Sequence, residues 1–548
     1  MEVDLTRLPV AVIDCQTTGA APDKGFLLEV AWTILSPVNR PEKFKPEVHS
    51  FLITLPDGGT IPDRITRMTG ISSKMAGEGL EECELAKLLL PVLRNVIMIA
   101  HFAVFEQRWI DNLLSRCLPD EKRPRIICTR EIARRVYPRL PRKGIRAVAG
   151  YLGFSMDEKK RAAGHVRATA LIWSKLILEL RKMGILNLSQ LRQFLAEPPA
   201  GSGGGWHYAL PRETRLSLPD APGVYHLLST NGEVLYVGKA SSLRRRVNSY
   251  FTRRKADEKT LELVSQVHDV SIEECETPLE AALLEFDTIR KLQPPYNRVM
   301  KRGSHRVVYL SKDLSSNSLL PGNDHTRGPV PESSSALLFH EILTVMNGRG
   351  TITPDKFGLG YLSSDVEVLE PGFELFRDEN FGASPVSAGD FLRAGLNAWF
   401  RLNEDSEDLT DDDDEETSGF TDTISVSKHF EWLLSSGARD LRAGAWFCLL
   451  GWSSLLWKPV LSEQYRHVSF RAGEMVSSEW IPGNRPQITS SETRIKRQSM
   501  FSALSYDRVK VLNSELKRIT ATGGSVNIRV PGGQLLGRES LLDLYRYI

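Results

Sequence analysis

Residues 218–251 read LPDAPGVYHLLSTNGEVLYVGKASSLRRRVNSYF, two short tyrosine-bearing strands that run into an arginine-rich helix. Apolar residues alternate on either side of Asn231-Gly232, a dipeptide that accepts the positive backbone dihedrals of a tight turn, so the stretch predicts a β-hairpin. The hairpin brings Tyr225 and Tyr236 towards one edge. Lys239 follows in a short connection, and the spacing after Leu243 predicts a helix with Arg246 and Tyr250 on one face, four residues apart. Two phenols, an ammonium and a guanidinium are expected to converge there, a donor set suited to the charge of a phosphodiester.

Gly223-Val224-Tyr225 and Tyr236-Val237-Gly238, followed by LRRRV and SYF, resemble the GIY-YIG nuclease signature, and within it the UvrC and Cho branch of nucleotide excision repair. Residues 278–297, PLEAALLEFDTIRKLQPPYN, resemble that family's second helix and its PxYN end. The resemblance implies a metal-dependent DNA endonuclease that hydrolyses a phosphodiester in one strand during repair. It implies Glu285 as the ligand of Mg²⁺ or Mn²⁺, and Tyr225, Tyr236, Lys239, Arg246, Tyr250 and Asn297 as the catalytic set. Tyr236 takes the part of base, Tyr225 and Tyr250 orient water or phosphate, and Asn297 closes the site. Damaged or structured duplex DNA is the implied substrate, and damage-recognition proteins of excision repair are the implied partners.

The residue types suit that chemistry independently. Leu279, Ala282, Leu283, Phe286 and Ile289 form a helical apolar stripe, and Glu285 lies at its border, where a carboxylate usually has a partner. One carboxylate plus water suits Mg²⁺, which gives up its hydration reluctantly. Arg246 offers a planar fork to a phosphate, and Lys239 a compact charge that favours a deprotonated phenol, whose free pKa is about 10. Arg244, Arg245, Arg253, Arg254, Lys255 and Lys259 extend a cationic track for nucleic acid. Each of these residues alone also has a structural reading: a packed tyrosine, a solvated arginine face, a paired glutamate. Their order and spacing together favour the nuclease.

The 548 residues exceed one core and predict about three or four domains. The net charge is only +2, so affinity for DNA must come from local patches. The six cysteines, Cys15, Cys83, Cys117, Cys128, Cys275 and Cys448, are scattered without CxxC spacing, which argues against structural zinc, an iron–sulfur cluster and a disulfide scaffold. The N-terminus has acidic residues and no long apolar core, unlike a secretory signal. The apolar run 445–457 is too short to span a bilayer and is expected to be a buried helix. A cytoplasmic protein without membrane association is the expectation.

Residues 197–205, EPPAGSGGG, form the clearest linker. Before it, residues 8–19, LPVAVIDCQTTG, resemble the first motif of DnaQ-like 3′–5′ exonucleases, usually DxETTG. IAHFAVFE at 99–106 resembles AHNAxFD, GHVRATA at 164–170 resembles the histidine-bearing HRAxxD helix, and Cys128-Thr129 with ARRVYP at 133–138 fits between them. The resemblance implies an RNase H-like α/β fold over about the first 180 residues. Two-metal exonucleolysis needs four carboxylates and a histidine base. Asp14 and His165 are present, but Gln16 and Ala170 replace carboxylates and Glu106 stands in for an aspartate, so a degenerate exonuclease site is expected.

The expected organisation is an α/β multidomain chain: exonuclease-like domain 1–195, linker 196–212, GIY-YIG domain 213–312, loop 313–335, segment 336–402, acidic linker 403–420 and C-terminal domain 421–548. The C-terminal part is expected to be mixed and mainly helical, with 307–311 completing the nuclease sheet. Its amphipathic stretch 506–519 precedes a strand-like region, 526–536, that turns at Pro531-Gly532-Gly533. Two other functions fit the same residues: a residual 3′–5′ exonuclease using Asp14, Glu106 and His165, and a non-catalytic DNA-binding or assembly scaffold.

Overall fold

The structure, a computed structural model, describes residues 3–35, 46–56, 59–156, 159–199, 205–252, 256–297, 300, 306–357, 359, 366–382, 385–404, 422–459, 462–482, 501–522 and 525–546. The chain divides into two compact units, 1–281 with 291–299, and 282–290 with 300–548.

In the first unit, five strands form a sheet in the order β3-β2-β1-β4-β5: β1 (Val10–Thr17), β2 (Leu27–Leu35), β3 (His49–Leu52), β4 (Ile97–Ala100) and β5 (Ile127–Cys128). β1 is antiparallel to β2 and parallel to β4, the mixed α/β sheet expected here. Central β1 is apolar on both faces because each feeds a core. Val10 and Val12 join the cluster around Trp173 and Leu176 of the long helix Ala162–Lys182. Ala11, Ile13 and Cys15 join the cluster around Trp109 and Ile110 of helix Ala103–Cys117. Strand alternation then gives Asp14 and Gln16 the parity of Val12, at the end of β1.

A disulfide joins Cys83 to Cys117, 34 residues apart, linking helix Glu82–Asn95 to helix Ala103–Cys117. The sequence argued against a disulfide scaffold; the pair is built by helix packing and leaves no spacing signature.

Residues 223–274 of this unit contain a three-stranded antiparallel sheet ordered β7-β6-β8: β6 (Gly223–Leu228), β7 (Val234–Ala240) and β8 (Asp269–Glu274). The hairpin forms, but by a longer turn than expected. Of the Asn231-Gly232 pair only Gly232 has positive φ, at 79°, and the register shifts between Leu227 and Leu228. A single left-handed glycine closing a bulged turn replaces the two-residue type. Helix Leu243–Thr252 follows, burying Leu243, Val247 and Phe251 against the sheet core.

Both parts of the first unit meet directly. Gly150 of helix Ile145–Tyr151 lies against Gln266 of helix Glu258–Gln266, where a Cβ on Gly150 would stand 2.2 Å from Gln266 Cγ. A hydrogen bond links His268 Nε2 and Gly150 O at 2.9 Å, and His207 N donates to Arg139 O at 2.9 Å. Residues 200–204 of the expected linker are outside the described residues.

Helix Pro278–Leu292 starts at a reciprocal cap. Thr277 N donates to Glu280 Oε2 at 3.1 Å and Glu280 N donates to Thr277 Oγ1 at 3.4 Å, with proline in the first turn. Its middle, 282–290, groups with the second unit. There Arg508 of helix Ala503–Ala521 pairs with Asp287 at 2.6 Å and with Glu474 at 3.1 Å, and Arg290 pairs with Asp507.

The second unit holds two sheets. One is ordered β10-β9-β11 from β9 (Val307–Ser311), β10 (Asn317–Ser318) and β11 (His325–Pro331). Residues 307–311 therefore belong to this sheet, and the expected loop at 313–335 contains two of its strands. The other is antiparallel, β14-β13-β12-β15-β16, from β12 (Ser454–Lys458), β13 (Tyr465–Arg471), β14 (Glu474–Ile481), β15 (Ser525–Arg529) and β16 (Leu535–Gly537). Phe339, Phe376, Phe391 and Phe430 fill a core around helix Thr423–Leu450. The apolar run 445–457 is not one helix: it ends that helix, turns at Gly451 and enters β12. Of the acidic run, residues 405–421 are outside the described residues, and among those described no helix is long and apolar enough to cross a membrane.

Candidate nuclease site

The pleat and the hairpin register build the tyrosine cluster. Tyr225 pairs with Gly238, and Gly238 shares a face with Tyr236, so both phenols lie on one side of the sheet. Tyr250 reaches them from helix Leu243–Thr252. The three rings form a triangle with centroids 6.1 to 6.2 Å apart. Tyr225 Oη and Tyr250 Oη share a hydrogen bond at 2.8 Å. Arg246 Nη2 donates to Tyr250 Oη at 3.4 Å, and its guanidinium lies 5.2 Å from that ring's centroid. Gly238 makes this possible, because a Cβ there would stand 2.4 Å from Tyr225 Oη.

The phenols are not equivalent. Tyr225 is fully buried, and burial, reinforced by Tyr250 and Tyr236, pushes its pKa well above the usual phenol value, so it remains a neutral hydroxyl. Tyr225, expected to orient water or phosphate, is buried with its hydroxyl bonded to Tyr250 Oη. Burial works against the charge of Arg246, but the three phenols offset this and raise its pKa, so the guanidinium is charged.

Tyr236, Arg246 and Tyr250 line a pocket of about 190 Å³ with Ser249, Lys259 and Tyr296. Lys259 Nζ donates to Tyr296 O at 3.0 Å. The sequence placed Lys259 only on an outer track and did not single out Tyr296 or Ser249; the pocket forms from a helix start and a turn that are remote in sequence. Lys239 stands near the end of β7, half-buried and paired in register with Val224.

Asn297 was expected to close the site. Its Oδ1 accepts from Val237 N at 3.0 Å and its Nδ2 donates to Val237 O at 2.9 Å. Both amide groups are bonded to the backbone beside Tyr236. Arg244 and Arg245 both turn to Asp220, at 3.1 and 3.4 Å, and neither lines the pocket. Arg253, Arg254 and Lys255 are outside the described residues. Glu285 is buried in helix Pro278–Leu292, within the segment that groups with the second unit.

A second cleft, of about 800 Å³, opens over the end of β1. Gln16 Nε2 donates to Asp14 Oδ2 at 2.8 Å, His165 Nδ1 lies 3.2 Å from Asp14 Oδ1, and Gln16 Nε2 is 3.5 Å from His165 Nδ1. Glu106, in the first turn of helix Ala103–Cys117, is buried, and its Oε2 has no hydrogen-bond partner among the described residues. Desolvation first, and then the Asp14 charge, push its pKa well above the usual carboxylate value. Ala170 is buried in the core beside Trp173. The floor thus brings Asp14, Gln16, Glu106 and His165 together, with an amide donor where two-metal chemistry needs a carboxylate. Neighbouring His101 bridges Thr129 Oγ1 and Lys143 O, and burial lowers its pKa to about 4.

Residues 221–298 match the family model of the UvrC-like GIY-YIG domain, and residues 11–172 match that of the exonuclease family. The chain joins an exonuclease-family domain to a UvrC-like GIY-YIG domain. It is 30% identical over 244 residues to a putative bifunctional exonuclease/endonuclease protein of Mycobacterium tuberculosis strain CDC 1551, covering 44% of this chain and 37% of that protein. It is 39% identical over 127 residues to the UvrABC system protein C of Psychrobacter sp. strain PRwf-1, covering 22% of this chain and 21% of that one. The chain therefore matches less than half the length of either relative. A solved GIY-YIG N-terminal endonuclease domain of UvrC from Thermotoga maritima, bound to its catalytic divalent cation magnesium, is 31% identical, with a TM-score of 0.15 over 16% of this chain and 94% of that one.

The donor chemistry of the two domains differs towards a cation. Among the described residues no group of three or more His, Cys, Asp or Glu side chains is placed to hold a metal ion. A protein-caged ion such as structural zinc does not fit the described residues, whereas an ion that keeps most of its water needs only one protein carboxylate. The exonuclease-family cleft does not fit a metal pair, because Gln16 presents N–H to Asp14 and Ala170 offers no ligand.

Proposed function

We propose that this chain is a metal-dependent DNA endonuclease that hydrolyses one phosphodiester in one strand of damaged or structured duplex DNA, as in excision repair. The observation that carries the reading is the hydrogen-bonded Tyr225–Tyr250–Arg246 chain beside Tyr236, at the mouth of a small pocket. Mg²⁺ or Mn²⁺ held by Glu285 would supply Lewis-acid stabilisation of the phosphoryl oxygens. Arg246 binds the scissile phosphate through the edge not used on Tyr250, and charge added on attack falls within reach of its fixed donors. Lys259 adds a second cation at the pocket wall. Tyr236 takes the proton of the attacking water, with Lys239 near the strand end favouring the phenolate. Tyr225 holds Tyr250 and, through it, the orientation of Arg246. Proteins that locate damage are the expected partners, and the cytoplasm the expected site of action.

Nicked, flapped and lesion-bearing duplexes incubated with the purified chain and Mg²⁺ or Mn²⁺ test the proposal. Incision of at least one, abolished in Glu285→Ala and in EDTA, supports it. Absence of incision on all of them, or equal incision by Glu285→Ala, overturns it. Residual exonuclease activity is disfavoured by the Gln16–Asp14 hydrogen bond, and trimming of a 3′-labelled strand that disappears in Asp14→Ala would restore that reading.

A further inference from the structure

The tyrosine pocket has two walls of different origin. Tyr236, Arg246, Ser249 and Tyr250 come from β7 and helix Leu243–Thr252, whereas Lys259, Thr260 and Leu263 come from helix Glu258–Gln266, with Tyr296 beside them. The exonuclease-family domain grips that second helix at both ends. At its start Arg142 pairs with Glu258 at 2.9 Å, but both side chains are exposed and the pair contributes little. At its end Gln266, buried, packs on Gly150, where an added Cβ would stand 2.2 Å from Gln266 Cγ and 2.8 Å from Gln266 Cβ. These atoms are at the root of the side chain, so turning its amide away does not relieve the overlap.

From Gln266 an unbroken set of hydrogen bonds leads to the backbone on both sides of Tyr236. Gln266 Nε2 donates to Tyr296 Oη, which donates in turn to Glu262 Oε1 at 2.7 Å. Burial, and then the Glu262 charge, raise the Tyr296 pKa, so this hydroxyl keeps the proton it donates. Tyr296 N donates to Leu235 O at 3.1 Å, and the next residue, Asn297, bonds to Val237 N and O. In its sheet β7 has a neighbouring strand, β6, on one side only. The Tyr296-Asn297 turn takes up the other edge, and the backbone that carries Tyr236 is fixed between the two.

We infer that the exonuclease-family domain is a brace for the nuclease pocket: Gly150 of helix Ile145–Tyr151 holds Gln266 and, through it, Tyr296, and these two positioning residues set where Tyr236 stands. The brace itself stands on the contacts, and only its effect on incision rests on the endonuclease reading. A domain whose cleft does not fit a metal pair thereby takes part in the cutting done by the other, although neither Gly150 nor Gln266 lines the pocket.

Two measurements on the full chain test this. Hydrogen–deuterium exchange of residues 234–240, read by mass spectrometry without DNA or metal, is expected to quicken at least about fivefold in Gly150→Ala and in Gln266→Met. It is expected to stay at the parent's rate in Gly144→Ala, where a methyl at the start of the same helix meets nothing within 4 Å. Should Gly150→Ala fail to fold, Gln266→Met decides alone, because it keeps the side-chain length and loses only the donor; parent-like exchange there overturns the brace. With Mg²⁺, single-turnover incision of a flapped duplex is expected to slow at least about tenfold in Gln266→Met and in Tyr296→Phe, at an unchanged DNA concentration for half-maximal rate. The double variant is expected to be no slower than the slower single, since both act on one path, and losses that multiply overturn that path. Quickened exchange with incision within about twofold of the parent's rate overturns the control of Tyr236. Quickened exchange in variants of a parent that cuts nothing refutes the endonuclease proposal and leaves the brace standing.

Discussion

Gly238→Ala tests whether the tyrosine cluster depends on the missing side chain. A Cβ at 238 would stand 2.4 Å from Tyr225 Oη, 2.6 Å from Tyr225 Cζ and 2.9 Å from Tyr236 Cε1. Ordinary carbon contacts begin near 3.5 Å, so the Tyr225 ring must retreat by roughly 1 Å. It has no free space to enter, being fully buried, and overpacking of this kind costs about 1–3 kcal/mol. The displacement passes on through the 2.8 Å hydrogen bond to Tyr250 and from there to Arg246. A misplacement of that size at a reacting centre costs about a hundredfold in rate. Single-turnover incision of a labelled flapped duplex should therefore slow by about two orders of magnitude, while urea denaturation shows the 1–3 kcal/mol loss. Gly232→Ala is the control: its φ is 79° but nothing lies within 4 Å of the added Cβ, so backbone strain of about 1 kcal/mol is expected with little change in rate. A Gly238→Ala rate within threefold of the parent's would refute the assignment of Tyr225 as the positioning phenol.

Asn297→Ala removes both amide bonds to Val237 in a buried place and is expected to lower stability by about 2–4 kcal/mol, read as the urea midpoint; a change below half of that would contradict its part as a clamp. Cys83→Ser opens a loop of 34 residues and is expected to cost about 3 kcal/mol under oxidising conditions and nothing under reduction, as thermal melts with and without dithiothreitol would register. Glu106→Gln should stabilise the chain more as pH rises. The Glu106 pKa is raised on folding, so the native state holds its proton more tightly, and the cost of ionising it is absent below the unfolded value and grows above it. A melting-temperature gain that is flat between pH 4 and pH 8 would exclude this. Arg508→Met breaks the pairs with Asp287 and Glu474; because those carboxylates are largely solvated, a loss of only about 1–2 kcal/mol is expected in chemical denaturation, and no loss would mean that the pairs do not hold helix Pro278–Leu292.

The parts that could be read from sequence were local ones. Tyr225, Tyr236, Arg246 and Tyr250 come together because period-two and 3.6-residue spacing orient side chains over a few residues. Asp14 and Gln16 share a face for the same reason. The bonds of Asn297 to Val237 were not legible, because Val237 lies 60 residues away and offers its backbone, which carries no residue-type signal. Cys83 and Cys117 met through helix packing, and Lys259 reached the pocket from a separate helix. The run 445–457 was uniformly apolar, so it had no period to separate the end of a helix from the strand that follows. Residues 325–331, rich in turn formers, became a strand because pairing with β9 outweighed composition.

Gln16 gives the floor of the N-terminal cleft a polar network that stands without bound cations. A carboxylate in its place, two residues along the strand from Asp14 and close to Glu106, would gather negative charge that only bound cations could balance. The amide does the reverse: it donates to Asp14 and lies within reach of His165, so the floor is stable as a polar network of its own. At this floor the imbalance falls on Glu106, whose pKa is raised and whose Oε2 has no hydrogen-bond partner among the described residues. The cationic, aromatic walls, with Arg130, Arg134, Arg142 and Phe102, are formed by other residues than this floor. In the GIY-YIG domain the dependence is the opposite, since Tyr225, Tyr250 and Arg246 hold one another and a change in any one moves the others. A substitution at the N-terminal floor is therefore expected to leave the tyrosine cluster in place, whereas one at Tyr225, Tyr250 or Arg246 disturbs all three.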